Sequence, residues 1–323
     1  VSPPQEGPTT IKLDQDNINS LTLECKRVAS EITDKNALNA FLSTALSTPL
    51  MNFYHYEVFL IALDLAPFPN RDTWRWHLCF LQTYTRVAQP TETELDAWLH
   101  WSQEQELPLI SKWRLPFLLK DDFFKVIKPE LNLKTYEKWL GIAPTLKMPI
   151  GTICTLAVRN TADVLLKNTK PNPNGWDINS RNPTLLKDIQ KCFQCIPGID
   201  KLQYATASLY WLANWRIQPG ADLVAVYREC LGYMQEWLRL SPEDADPGNK
   251  FGKIKDKYRQ SMSKHFLYCY GLGMEKYLAL VDHPKKLIIE LFNDESIPMR
   301  YKSATKITPD INGAVGQLGA LLE

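Results

Sequence analysis

The sequence predicts an all-α protein, an irregular solenoid of stacked helix pairs, and three observations carry that expectation. Apolar residues recur at i, i+3, i+4 and i+7 through most of the 323 residues. Pro residues, 22 of them, punctuate these stripes at intervals of one to three helical lengths. Gly numbers only 14, about 4% against a usual ~7%, and strand-type alternation is almost absent, which argues against phosphate-cradling loops and turn-dense sandwiches.

Residues 1–15 read as a linker or disordered lead, and the solenoid segment is expected over 16–323. Leu21, Val28 and Ile32 fall near one helix face. Leu38, Phe41, Leu42, Ala45 and Leu46 form the next stripe, which Thr48-Pro49 ends because Pro disfavours helical geometry in the residue before it. The run Phe53–Leu63 is apolar on nearly every side, as in a buried helix. Asn70 or Asp72 caps a helix through Trp74, Leu78, Leu81 and Val87. Thr91-Glu92-Thr93-Glu94 opens another, with acids suited to the helix dipole. Further helices are expected at 109–119, 121–128, 133–140, 148–168, 184–195, 199–217, 220–240, 250–271, 274–281 and 284–293, with a last one from about 309. Asn168–Gly175 is the clearest internal loop, so an internal break is placed near 169–182, and Ser241–Asn249 forms a second, acidic one. No fixed repeat period is found.

Composition narrows the function classes. Lys+Arg is 37 and Asp+Glu 36, a net charge of +1, without the global basic field of a nucleic-acid binder. No stretch approaches the ~18 apolar residues of a membrane span. Seven scattered Cys read as reduced, intracellular thiols. The polar, Pro-rich start lacks a secretory pattern, and the missing initiator Met and apolar final run read as a fragment of something longer.

Motifs for chemistry are few. Cys192-Phe193-Gln194-Cys195 has the spacing of half a zinc site or a redox pair. A second CxxC, an HxxxH and a βαβ setting are all missing, so the two cysteines read as packing residues beside Phe193 and Ile196. His55, His77, His100, His265 and His283 are dispersed, with no G-x-S-x-G or HExxH around them. Asp121-Asp122 and Glu104/Glu106 could be paired carboxylates, though Asp121-Asp122 fits a helix start better. GxxxxGK[ST] and GxGxxG are absent. The basic run Lys250–Lys257 with Arg259 could meet phosphate, though a solvated helix face is the plainer reading. Ten Trp, among them Trp211 and Trp215, are expected mostly as core and inter-helix anchors, one or two being exposed for a partner. No catalytic residue, cofactor or metal is therefore expected, and an enzyme using an unrecognised site is a remote alternative to a binding scaffold.

A resemblance refines this reading. Glu275–Val281, His283–Phe292, Ser296–Tyr301 and Pro309–Asn312 resemble in order the C-terminal region of the Rough deal family of large kinetochore proteins. Leu115–Leu119 with Phe123–Ile127, Ala205–Trp215 and Glu236–Leu238 are similar too, so the likeness runs over about 110–323. The resemblance implies an α-solenoid of the Sec39-like kind and no catalytic motif. It implies binding to Zeste-white ten, assembly with Zwilch, and a kinetochore corona that recruits dynein through Spindly and supports the spindle checkpoint. Kinetochore and spindle in mitosis, cytoplasm otherwise, are the places it implies, with no direct nucleic acid and no membrane insertion. A Sec39-type vesicle-tethering subunit, like the neuroblastoma-amplified sequence protein, is the alternative within scaffolds. Within helices 274–293 the apolar Tyr277, Leu278, Leu287, Ile288, Leu291 and Phe292 are expected mostly to face neighbouring helices, leaving Lys285 and Lys286 as a candidate partner-binding rim.

Overall fold

The computed structural model describes residues 23–24, 27–38, 40–41, 71–101, 115, 127–144, 146–167, 175–243 and 248–295. The expected helical residues 42–46, 53–63 and those from 309, and all of 109–126 except Leu115, lie outside these residues. What is described is helical, with no strand; one isolated parallel bridge joins Asp177 and Gly220. The all-α expectation is met. No helix among the described residues is long and apolar enough to cross a membrane. By its own packing the chain divides into two compact units, Val1–Met148 and Pro149–Glu323.

In the first unit, α1 (Arg71–Thr83) stops earlier than the apolar stripe through Val87 predicts. Tyr84 and Arg86 turn inward to a buried carboxylate and give up helical geometry to do so. The next helix, α2 (Glu92–Trp101), begins with a capping box. The Thr91 backbone N–H donates to Glu94 at 2.7 Å, and the Glu94 N–H returns to the Thr91 hydroxyl at 3.4 Å. A 3₁₀ turn at Lys128–Glu130 leads to α3 (Tyr136–Leu140). Trp139 of α3 is fully buried, edge-on to both Phe80 and Tyr84 with centroids 5.0 Å away.

The second unit is a chain of long helices laid side by side: α4 (Ile150–Lys167), α5 (Leu185–Gln194), α6 (Asp200–Trp215), α7 (Ala221–Leu240) and α8 (Lys250–Cys269), then the short α9 (Glu275–Leu278) and α10 (Pro284–Asn293). Their limits match the predicted ones to within two or three residues, because caps and prolines act locally. Contacts follow chain order: α4 and α5 pack on α6, α6 on α7, α7 on α8, α8 on α9 and α9 on α10. Such sequential packing is compatible with stacked pairs in a solenoid.

Two glycines allow close approach. A Cβ at Gly151 would meet the Tyr204 ring at 2.2 Å, so the α4–α6 crossing requires Gly there. At Gly220 a Cβ would lie 2.4 Å from the Asp177 carbonyl oxygen, which the Ala221 N–H uses as acceptor at 2.8 Å. That bridge pins the 175–182 segment to the start of α7. Asp222 adds to it by accepting from the Arg181 N–H at 3.0 Å and the Asn182 N–H at 3.3 Å.

Candidate interaction surface

The last helices close around an apolar cluster. Leu267, Leu272, Tyr277, Val281, Leu287 and Leu291 close into one buried cluster, with Leu278 and Ile288 packed partly against it. Asp294 secures the far end of α10 on α9: its carboxylate accepts from the Tyr277 hydroxyl and pairs with the Lys276 ammonium. The hydrogen bond to Asp294 holds the Lys276 ammonium above its ordinary value. With Leu287 and Leu291 turned inward, the helical period sends Lys285 and Lys286 out to solvent. Ile289, 57% exposed, lies one turn further on. Both lysines sit in the first turn of α10, directly after Pro284, and that turn holds no acid. The side chain of Phe292 lies outside the described residues.

The tryptophans divide. Trp139 and Trp176 are buried. Trp176 stacks on Tyr268 at 5.8 Å between centroids and donates its indole N–H to His265 Nδ1 at 3.3 Å. An indole N–H only donates, so His265 must keep Nδ1 deprotonated, and burial holds its pKa below the ordinary imidazole value. Trp211 is half-buried under two guanidinium groups, Arg159 at 5.2 Å and Arg216 at 5.4 Å from the ring centre. Arg216 also pairs with Asp163 of α4 at 2.5 Å. Trp215 departs from the core role expected of most tryptophans, being 73% exposed. It occupies the final residue of α6, one turn beyond the last buried pair, Leu212 and Ala213. Trp76 is exposed as well; the side chains of Trp74, Trp98 and Trp101 are outside the described residues.

Cys192 and Phe193 are fully buried, and the Cys192 carbonyl accepts from Cys154 Sγ at 3.4 Å. Cys195 is half-buried, its Sγ near the Lys191 carbonyl at 3.9 Å. Among the described residues no three His, Cys, Asp or Glu side chains stand where a metal would need them. His283 is exposed at the start of α10. His55, Glu104, Glu106, Asp121 and Asp122 lie outside the described residues, as do the side chains of His77 and His100. The clefts beside Asp177 and Asp222, and beside Leu185 and Ile217, each offer about 20 Å³, room for roughly one water molecule.

Sequence reasoning missed the most concentrated polar cluster. Glu130, fully buried, accepts from Arg86 Nε at 3.2 Å, the Tyr84 hydroxyl at 3.1 Å, and the Val87 and Ala88 N–H groups at 2.7 and 3.1 Å. Arg86 reaches Glu94 with both terminal nitrogens, at 2.6 and 3.0 Å. Burial, then the Glu130 charge, pushes the Tyr84 phenol far above its ordinary range. Only the Thr91-x-x-Glu94 spacing was a local signal of this network. With every acceptor site occupied by protein donors, Glu130 is a structural anchor rather than a reactive carboxylate.

Residues 104–323 match the family described as Rough deal protein C-terminal region. The chain is 26% identical over 257 residues to human (Homo sapiens) kinetochore-associated protein 1, covering 75% of this chain and 11% of that protein. Against the mouse (Mus musculus) protein of the same name, identity is 25% over 311 residues, covering 90% of this chain and 14% of the relative. The chain thus spans only a small part of the length of the relatives it matches.

Proposed function

The chain belongs to the Rough deal protein C-terminal region family, and from that premise we propose that it is a non-enzymatic scaffold segment of a kinetochore corona and spindle-checkpoint assembly. In this reading it binds Zeste-white ten, assembles with Zwilch, and through the completed complex supports dynein recruitment by Spindly. It acts at the kinetochore and spindle in mitosis and resides in the cytoplasm otherwise. The observation that carries the reading is the family match, which spans all of the second unit and its run of sequentially packed helices.

Lys285 and Lys286 serve in this reading as a rim that tunes encounter, with exposed Ile289 beside them. The test is size-exclusion chromatography of the full chain with purified Zeste-white ten, followed by pull-down from mitotic extract with partner identification. Co-elution with Zeste-white ten and recovery of Zwilch are expected. Recovery of vesicle-tethering subunits without Zwilch would replace this reading by the tethering one. Turnover traced to the chain itself would replace it by an enzyme.

A further inference from the structure

Helix α8 carries a row of lysines that no acid among the described residues pairs. Lys250, Lys253, Lys257 and Lys264 follow one another at intervals of three, four and seven residues. At 100° per residue these positions fall within about 60° of one another, and at 1.5 Å per residue they extend over about 21 Å of helix. Lys250, Lys253 and Lys257 are exposed and Lys264 half-buried. None of the four ammonium groups has an ion pair or hydrogen bond among the described residues.

Two exposed arginines elsewhere show how helical spacing can pair a charge. Arg27 is paired with Glu24 and Glu31, and Arg239 with Glu236, all at helical spacing. On α8 the neighbours one turn away are themselves lysines: Lys250 faces Lys253, and Lys253 faces Lys257. Like charges at that spacing repel. Asp256, three residues from Lys253, is the one acid on the helix, and it lies off the stripe. The first turn holds Lys250 and Lys253 with no acid, at the positive end of a 20-residue helix dipole. Asn249 begins the helix in the left-handed region, φ 54°, its side chain accepting from the Gly252 N–H, so this start is a capped one and the lysines are not on a frayed end.

A helix end that concentrates repulsion in this way is relieved by an anionic surface laid along it. We propose that the lysine stripe of α8 is a docking surface for an acidic α-helix of a partner protein, one presenting carboxylates at matching i, i+3, i+7 and i+14 positions. The geometry favours a rod over a nucleic acid. The stripe is one residue wide, and holds neither an arginine for bidentate phosphate contact nor an aromatic for base stacking. The chain around it is near neutral, at +1 overall. The inference rests on charge placement alone and is independent of which complex the chain enters.

The test uses the full chain and two labelled Ala-based helical peptides of equal length and charge. One carries Glu at the i, i+3, i+7 and i+14 positions; the other spreads the same four Glu around the helix. Fluorescence anisotropy at low salt should show the aligned peptide binding about tenfold more tightly than the spread one, a preference that shrinks as salt screens it. Lys253→Gln with Lys257→Gln should abolish that preference while the far-ultraviolet spectrum and melting temperature hold or improve, since repulsion is removed. Equal binding of the two peptides, an undiminished preference in the double variant, or displacement of the aligned peptide by duplex DNA at equal charge concentration would overturn the proposal.

Discussion

The two units hold their helices together by opposite means. In the first, Glu130 sits fully buried and gathers Tyr84, Arg86 and two backbone N–H groups from residues more than forty positions away, while Trp139 and Phe80 close over them. In the second, the centre is apolar: Ile153, Ile189, Phe193, Leu209, Leu212 and Met234 are all but inaccessible, and the ion pairs lie outside. A buried carboxylate is tolerated only while every donor around it stays in place, so the first unit depends on completeness. An apolar core depends on volume, losing stability in proportion to the space left empty.

Breaking the charge network should produce the largest effect. Glu130→Ala leaves the buried Arg86 guanidinium short of a partner and two part-buried N–H groups without their acceptor, a loss of about 3–5 kcal/mol confined to the first unit. Glu130→Gln, which keeps one accepting oxygen, should lose less. Urea denaturation with hydrogen exchange read separately in each unit measures both. A cost below about 1 kcal/mol for Glu130→Ala would show that the network does not hold that unit together.

The matching change in the second unit is Leu209→Ala at a fully buried site. Its expected cost is about 2–5 kcal/mol, set by how far α4 and α7 relax into the gap. Here the exchange rates of the first unit should stay unchanged.

Alkaline and acid pH sharpen the contrast. Burial pushes the Cys230 thiol up to about 12, so the stability it contributes is whole below the ordinary thiol pKa and is lost as pH rises through about 12. Tyr84, raised by burial and by Glu130, contributes in the same sense but starts to lose its share only above the ordinary tyrosine value, near 10. The second unit should therefore weaken first in alkali. Cys230→Ala should flatten its pH profile, and Tyr84→Phe that of the first unit. On the acid side, His265 has its folded pKa depressed by burial. The unfolded chain takes up the proton first, and the second unit loses stability as pH falls below the ordinary imidazole value. Urea midpoints across pH 5–11 with those variants test the order.

The smallest effect is expected at the rim. Lys285→Glu with Lys286→Glu should leave the fold of the second unit intact and weaken partner binding by at most about 1–2 kcal/mol, mainly at low salt. Calorimetry of the variant, and its titration with Zeste-white ten at two salt concentrations, would check this. Unfolding by the double reversal would mean that the lysines lie on the packed face.

The helices of the second unit were legible in the sequence almost residue by residue. Their limits are set by neighbours only three or four positions apart: Asn249 before α8, Pro284 opening α10, and the apolar period that turns Leu287 and Leu291 inward and leaves Lys285 and Lys286 out. Family membership was legible for the same reason, since it rests on ordered local blocks. Tertiary structure alone decided which groups at long separation would meet. It brought Glu130 to Arg86 across 44 residues and His265 to Trp176 across 89, and left Trp215 in solvent at the end of α6. Helical periodicity assigns each side chain a face, but only the closing of long loops decides what stands opposite that face. That closure depends on every intervening helix at once, so no short stretch of sequence encodes it.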